Sequence, residues 1–174
     1  MKRIIVWVFI TMLLINLNGM AEQFTLTMSG HSMDPTISEN DIIMFDNAVT
    51  PNRNDIVVCE FPNRPNMLFI KRVVGVPGDL VYRSNGVTHV VYEYIGQTID
   101  TALDERYRDY FPNGSPDDYD EYTLNDNEYF VVGDNVYNSH DSRDWKDDDP
   151  EADVGPISKD AILGVAIGRL DSLR

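Results

Sequence analysis

Met67-Leu68-Phe69-Ile70-Lys71-Arg72-Val73-Val74-Gly75-Val76-Pro77-Gly78-Asp79 reads as one long apolar strand that runs into a corner. Proline and glycine at the two central positions of Val76-Pro77-Gly78-Asp79 are the residues that a type II turn requires. Beyond the corner, residues 80–83 and 87–94 are two further apolar runs around Ser84-Asn85-Gly86. Asn-Gly between such runs signals a two-residue β-hairpin. Upstream, residues 42–45 and 56–61 form a similar pair around a Pro/Asn/Arg turn. Phe24, Leu26 and Met28 alternate with polar residues in a short strand with one buried face. Downstream, Tyr129-Phe130-Val131-Val132 leads into Gly133, and Ile157 with residues 161–170 supplies a closing strand. No segment after residue 21 carries a long helical period. The pattern predicts a mainly β fold of antiparallel sheets.

The chain has 174 residues, enough for one domain with at most a small satellite. Its net charge of −15 provides no basic stripe to neutralise phosphates, which argues against a nucleic-acid partner. Cys59 is the only cysteine, so an internal disulfide is impossible. It falls inside an apolar strand and reads as a small packing residue. Residues 96–127 are rich in Asp, Glu, Tyr, Pro and Gly and read as a small, irregular, solvent-facing insertion, with a helical turn near residues 101–108. Tyr107, Tyr110, Phe111, Tyr119 and Tyr122 would pack there as a cap on the sheet or present a partner surface. Residues 146–153 are strongly acidic but lack the alternating ligands and glycine of a calcium loop, so a solvated loop is expected.

Lys2 and Arg3 precede an uncharged run at residues 4–21. As a helix it would span roughly 27 Å, close to the ~30 Å hydrocarbon core of a bilayer. With the positive flank on the cytoplasmic side, the remainder of the chain lies outside. The competing reading is a cleaved signal peptide, since Asn16 and Asn18 weaken the run and Gly19-Met20-Ala21 offers small residues at its end. The anchor is the reading adopted: a single-pass membrane segment at residues 1–21 and an extracytoplasmic domain at 22–174.

In Met28-Ser29-Gly30-His31-Ser32-Met33-Asp34-Pro35-Thr36, Ser29-Gly30 breaks the strand pattern and Pro35 fixes the backbone on the far side. Ser32 therefore sits on a rigid turn at a strand end. That placement suits a nucleophile and equally an ordinary Ser/Thr turn, and this stretch alone favours the latter. Lys71 lies among Leu68, Phe69, Ile70, Val73 and Val74, where an ammonium would be poorly solvated. A free lysine is neutral in only roughly one molecule in a thousand near pH 7.4, whereas burial can lower its pKa by several units and make it a usable base. A lysine snorkelling from a strand edge to water accounts for the same pattern. His31, His89 and His140 are the other available bases, but the sequence shows no orienting carboxylate for any of them, and all three read as surface or packing residues.

Three stretches taken together change the balance. Ser32-Met33-Asp34-Pro35-Thr36, Lys71-Arg72-Val73-Val74-Gly75-Val76-Pro77-Gly78-Asp79 and Gly133-Asp134-Asn135 through Asn138-Ser139-His140-Asp141-Ser142-Arg143 resemble, in this order, the motifs of the type I signal peptidases. These are membrane-bound serine proteases with a Ser–Lys dyad. The resemblance runs from about residue 26 to 170 with a weak middle, and implies a signal-peptidase-like β fold with one N-terminal transmembrane helix. It implies Ser32 as nucleophile, Lys71 as general base, Ser139 hydrogen-bonded to the Lys71 amine, Asp141 and Arg143 as a supporting ion pair, and Gly133 as a point of close backbone approach. The Ser32 backbone N–H would be the oxyanion donor; the serine that many relatives carry two positions earlier is Gly30 here. Val136 and Lys146 also depart from the residues usual in the family.

The substrate would add as an extended strand, with pockets near Met28, Gly30, Met33 and Ile70 accepting small side chains. That implies Ala-x-Ala-like specificity toward the signal peptides of secreted preproteins, at the lipid bilayer of the cell membrane, without metal or organic cofactor. Alternatives sharing the dyad are a pilin or conjugation maturation peptidase and the mitochondrial inner-membrane peptidase. An inactive anchored binding module is the alternative of another class, and its mark would be loss of Ser32 or Lys71.

Overall fold

The computed structural model describes residues 22–103, 118–144 and 154–170. The proposed anchor at residues 1–21, the acidic stretch 146–153, and Tyr107, Tyr110 and Phe111 lie outside the described residues. Among the described residues no helix is long and apolar enough to cross a membrane.

Two antiparallel sheets build the domain. The larger takes the order β1-β2-β11-β3-β4-β9-β10, from β1 (Gln23–Thr27), β2 (Ile42–Asp46), β11 (Ile162–Leu170), β3 (Ile56–Phe61), β4 (Arg64–Gly75), β9 (Glu128–Val132) and β10 (Ile157–Ser158). The smaller is β7-β6-β5-β8, from β7 (Gln97–Ala102), β6 (Val87–Tyr94), β5 (Leu80–Ser84) and β8 (Tyr119–Thr123). Strand β3 reads as a continuous apolar run because both of its faces are covered. Val57, Cys59 and Phe61 enter one core cluster with Val73, Val131 and Ile157, while Val58 enters another with Leu26, Ile43, Phe45 and Ile70.

The corner and the first hairpin follow the sequence. Asp79 N–H donates to the Val76 carbonyl at 3.0 Å and Gly78 holds φ +89°, the geometry of a type II turn. Asp79 secures the corner by accepting from Val76 N at 2.6 Å and from Arg53 through both carboxylate oxygens at 2.7 Å. The corner carries the chain from β4 into β5, so that Val81 and Val90 of the small sheet pack on Phe130 and Val132 of the large one. Asn85 and Gly86 take φ +54° and +76° between paired Ser84 and Val87.

The irregular insertion needs correction. Residues 97–102 form β7, paired with β6, and residues 119–123 form β8, paired with β5. Thr101 and Ala102, expected in a helical turn, belong to this strand, and residues 104–117 are outside the described set. Strand β7 is an edge strand whose polar residues face water, so it has little apolar signal to read. Its turn is also disguised: Ile95 and Gly96 occupy φ +50° and +70°, positions where Asn-Gly is the usual signal. Tyr119 is buried, and the Tyr122 hydroxyl donates to Glu128 at 2.8 Å, so both are packing residues of the sheet.

Candidate active site

Ser32 is positioned by the loop that follows β1. Met28 remains paired with the start of β2, donating to Asp41 O and accepting from Asn40 N. Tight turns then close over Met33, whose carbonyl accepts from Thr36 N at 2.9 Å and Ile37 N at 3.0 Å. Met33 is fully buried with Ile37, Phe45 and Ile70, so it anchors the loop in the core and is not the pocket wall expected from the sequence. Asn135 ties the loop from the other side, through its N–H to Ser32 O and its side-chain amide to His31 O, each at 2.9 Å.

Lys71 lies on β4 opposite Val57, only 2% exposed, with Nζ 2.9 Å from Ser32 Oγ. Burial pulls its pKa below the ordinary lysine value, and the negative charge of Asp141 opposes that pull without cancelling it. The unfolded chain therefore holds a proton on Lys71 that the folded chain releases at lower pH. Between the lowered folded value and the ordinary value near 10.4, folding stability should rise with pH. Lys71→Met should accordingly be more stable than wild type at low and neutral pH, by about 1.4 kcal/mol for each unit of depression. The gain should shrink as pH climbs through that window. Denaturant melts at several pH values measure it, and a pH-independent difference would contradict the buried amine.

Asp141 is completely buried behind this pair. Burial alone would raise its carboxyl pKa, but hydrogen bonds and charge from Arg143, with N–H from Gly133 and the Ser139 hydroxyl, hold it below the usual range. The distances are 2.8 and 2.6 Å from Arg143 Nε and Nη2, 2.9 Å from Gly133 N and 2.6 Å from Ser139 Oγ. Ser139 thus gives its hydroxyl proton to Asp141 where the resemblance implied a bond to the Lys71 amine; an ionised acceptor is the stronger attraction. Gly133 has no room for a side chain, since a Cβ there would lie 2.2 Å from Ser139 Oγ and 2.5 Å from Ser32 O.

Each histidine has an aspartate partner that the sequence did not reveal. His31 Nδ1 lies 2.9 Å from Asp34, His89 Nδ1 2.9 Å from Asp100 and His140 Nδ1 2.8 Å from Asp144. None of these pairs reaches Ser32. Cys59 packs with Sγ directed at Phe69 O, and burial pushes its thiol up to about 12. Arg72 and Asp134 were quoted in the motifs without a role. Asp134 receives Arg72 Nε at 2.8 Å and Nη2 at 2.6 Å, which joins the strand of Lys71 to the loop after Gly133. An arginine beside Lys71 and an aspartate after the strand-ending glycine were the available signal.

The Ser32–Lys71 pair opens on a cavity of about 300 Å³ between Met28, Ser29 and Gly30 on one side and Met67, Phe69 and Ile70 on the other. Strand β4 pairs with β9 only from Arg72 onward, leaving an edge before Lys71 that faces the cavity. Two roomier hollows, about 560 and 640 Å³, touch neither Ser32 nor Lys71. At Gly30 a Cβ would meet nothing within 4 Å, so this position contributes backbone and space but no hydroxyl.

A family profile described as "Signal peptidase, peptidase S26" matches residues 1–170. Signal peptidase I of Pseudomonas fluorescens is 32% identical over 142 residues, covering 67% of this chain and 48% of its own. Signal peptidase I of Pseudomonas aeruginosa is 30% identical over 177 residues, covering 78% and 60%. Signal peptidase I S of Bacillus subtilis is 29% identical over 143 residues, covering 80% and 72%. The chain thus spans about half to three fifths of the length of the two Pseudomonas proteins.

Proposed function

Because the chain belongs to the peptidase S26 family of signal peptidases, we propose that it is a membrane-anchored serine endopeptidase that removes signal peptides from exported preproteins. The observation that carries the reading is the 2.9 Å contact between Lys71 Nζ and Ser32 Oγ, at a buried amine beside an open cavity. Neutral Lys71 takes the Ser32 proton as Oγ attacks the scissile carbonyl, and the Ser32 backbone N–H receives the oxyanion. The protonated amine then protonates the leaving nitrogen, and the acyl group stays on Ser32 as an ester. Water, deprotonated by Lys71, attacks that ester; the amine returns the proton to Ser32 Oγ as the new C-terminus leaves.

Asp141, held by Arg143, Gly133 and Ser139, keeps the wall behind Lys71 fixed, so the amine is aimed without a free carboxylate to hold it protonated. The substrate strand lies along the cavity between β1 and the free part of β4, with backbone hydrogen bonds for affinity. Met28 and Ile70 leave room for small side chains only, and residues 1–21 hold the domain to the outer face of the membrane. Purified full-length protein in detergent should cut a preprotein once, after a small-x-small sequence, as mapped by mass spectrometry of the products. An uncut preprotein, or cuts scattered without regard to small residues, would contradict the reading.

A further inference from the structure

The cavity beside Ser32 has walls of Leu26, Met28, Leu68, Phe69 and Ile70, and among the described residues just two ionisable side chains line it, Lys71 and Glu39. Glu39 sits on the turn that precedes β2. Its backbone is held firmly: Ser38 N donates to Asp41 Oδ2 at 2.8 Å, and Asn40 N donates to Met28 O at 2.9 Å, fastening the turn to the end of β1. Its carboxylate, by contrast, has no hydrogen-bond or ion-pair partner among the described residues. The carboxylates that act on Lys71 are Asp141 and Asp144, so Glu39 is not the counter-ion of the base. A fixed turn therefore presents an unpaired negative charge to whatever enters the cleft, within a few residues of the nucleophile.

We propose that Glu39 is a specificity-determining residue that favours a lysine or arginine side chain in the substrate close to the scissile bond. The proposal rests on the peptidase reading and adds a charge criterion to the size criterion set by Met28 and Ile70. Small pockets distinguish side chains by volume and are indifferent to charge at neighbouring substrate positions. A carboxylate at the cleft mouth discriminates there, because a cation gains a partner whereas an anion meets repulsion in a partly desolvated site. Glu39 is exposed, so the preference is modest and sensitive to salt.

The test uses one preprotein in which each position out to about four residues on either side of the cut, the two required small residues left unchanged, is in turn Lys, Gln or Glu. Values of kcat/KM are compared for wild type, Glu39→Gln, Glu39→Lys and Asp126→Asn; Asp126 is an exposed acid that does not line this cavity. At one or two positions wild type should prefer Lys over Glu by about three- to fivefold at low salt. The preference should vanish in Glu39→Gln, invert in Glu39→Lys and persist in Asp126→Asn. An unchanged preference in Glu39→Gln at every position, or an equal loss in Asp126→Asn, would overturn the proposal. The second result would assign the effect to the overall charge of the chain. Failure of wild type to cut the unsubstituted preprotein is a different result; it would overturn the peptidase reading and this proposal with it.

Discussion

Lys71→Arg and Ser32→Ala should each fold normally and leave preproteins uncut. Arginine keeps the positive charge and much of the length of Lys71, but it does not give up its proton near neutrality, so Ser32 would lose its base. The expected loss in kcat/KM is about 10²- to 10⁴-fold for the base and at least 10⁴-fold for the nucleophile, by comparison with other serine proteases. Alanine in place of His31, His89 or His140 should leave substantial activity, since each pairs with its own aspartate and none reaches Ser32. Cleavage near the wild-type rate by Lys71→Arg, or a histidine whose loss abolishes chemistry in a folded protein, would contradict the Ser–Lys assignment.

Gly133→Ala should cost nearly as much without touching either reacting group. The added methyl would fall 2.2 Å from Ser139 Oγ and 2.5 Å from Ser32 O, and contacts that short cannot persist. Neither neighbour can yield cheaply. Ser139 is bonded to Asp141 at 2.6 Å, and Ser32 O is held by Asn135 N at 2.9 Å. Relief requires moving the Ser32 loop away from Lys71 or withdrawing Ser139 from the buried carboxylate. A displacement of about 1 Å at reacting atoms costs on the order of 10²-fold in rate, and overpacking costs about 1–3 kcal/mol in stability. The loss should appear mainly in kcat, with a thermal melt showing a folded protein. Wild-type kcat in Gly133→Ala would show that this close approach does not set the geometry.

Much of this architecture was legible because the informative residues are local. Val76-Pro77-Gly78-Asp79 and Ser84-Asn85-Gly86 announce their own turns, and the apolar runs between them announce strands. Strands β7 and β8 escaped notice because polar edge strands lack that contrast, and Ile95 stands where a turn residue was expected. At the site, Ser32 and Lys71 were identifiable only through resemblance, since a serine turn and a snorkelling lysine produce the same local pattern. Met33 was expected to line a substrate pocket, but the tight turn after Ser32 directs its side chain into the core. The aspartate partners of the histidines, and the Arg72–Asp134 bridge, arise from tertiary neighbours or from turn geometry that residue spacing does not specify.

The central claim is that the amine 2.9 Å from Ser32 Oγ is a base at working pH. The most direct measurement is an NMR titration of the Lys71 side chain in ¹⁵N-lysine-labelled full-length protein in detergent, its signal assigned by loss in Lys71→Met. Burial should place its midpoint well below that of a free lysine, near 10.4. A Lys71 signal that titrates together with free lysine would mean that the amine is charged when the substrate arrives, and the Ser–Lys mechanism would not stand.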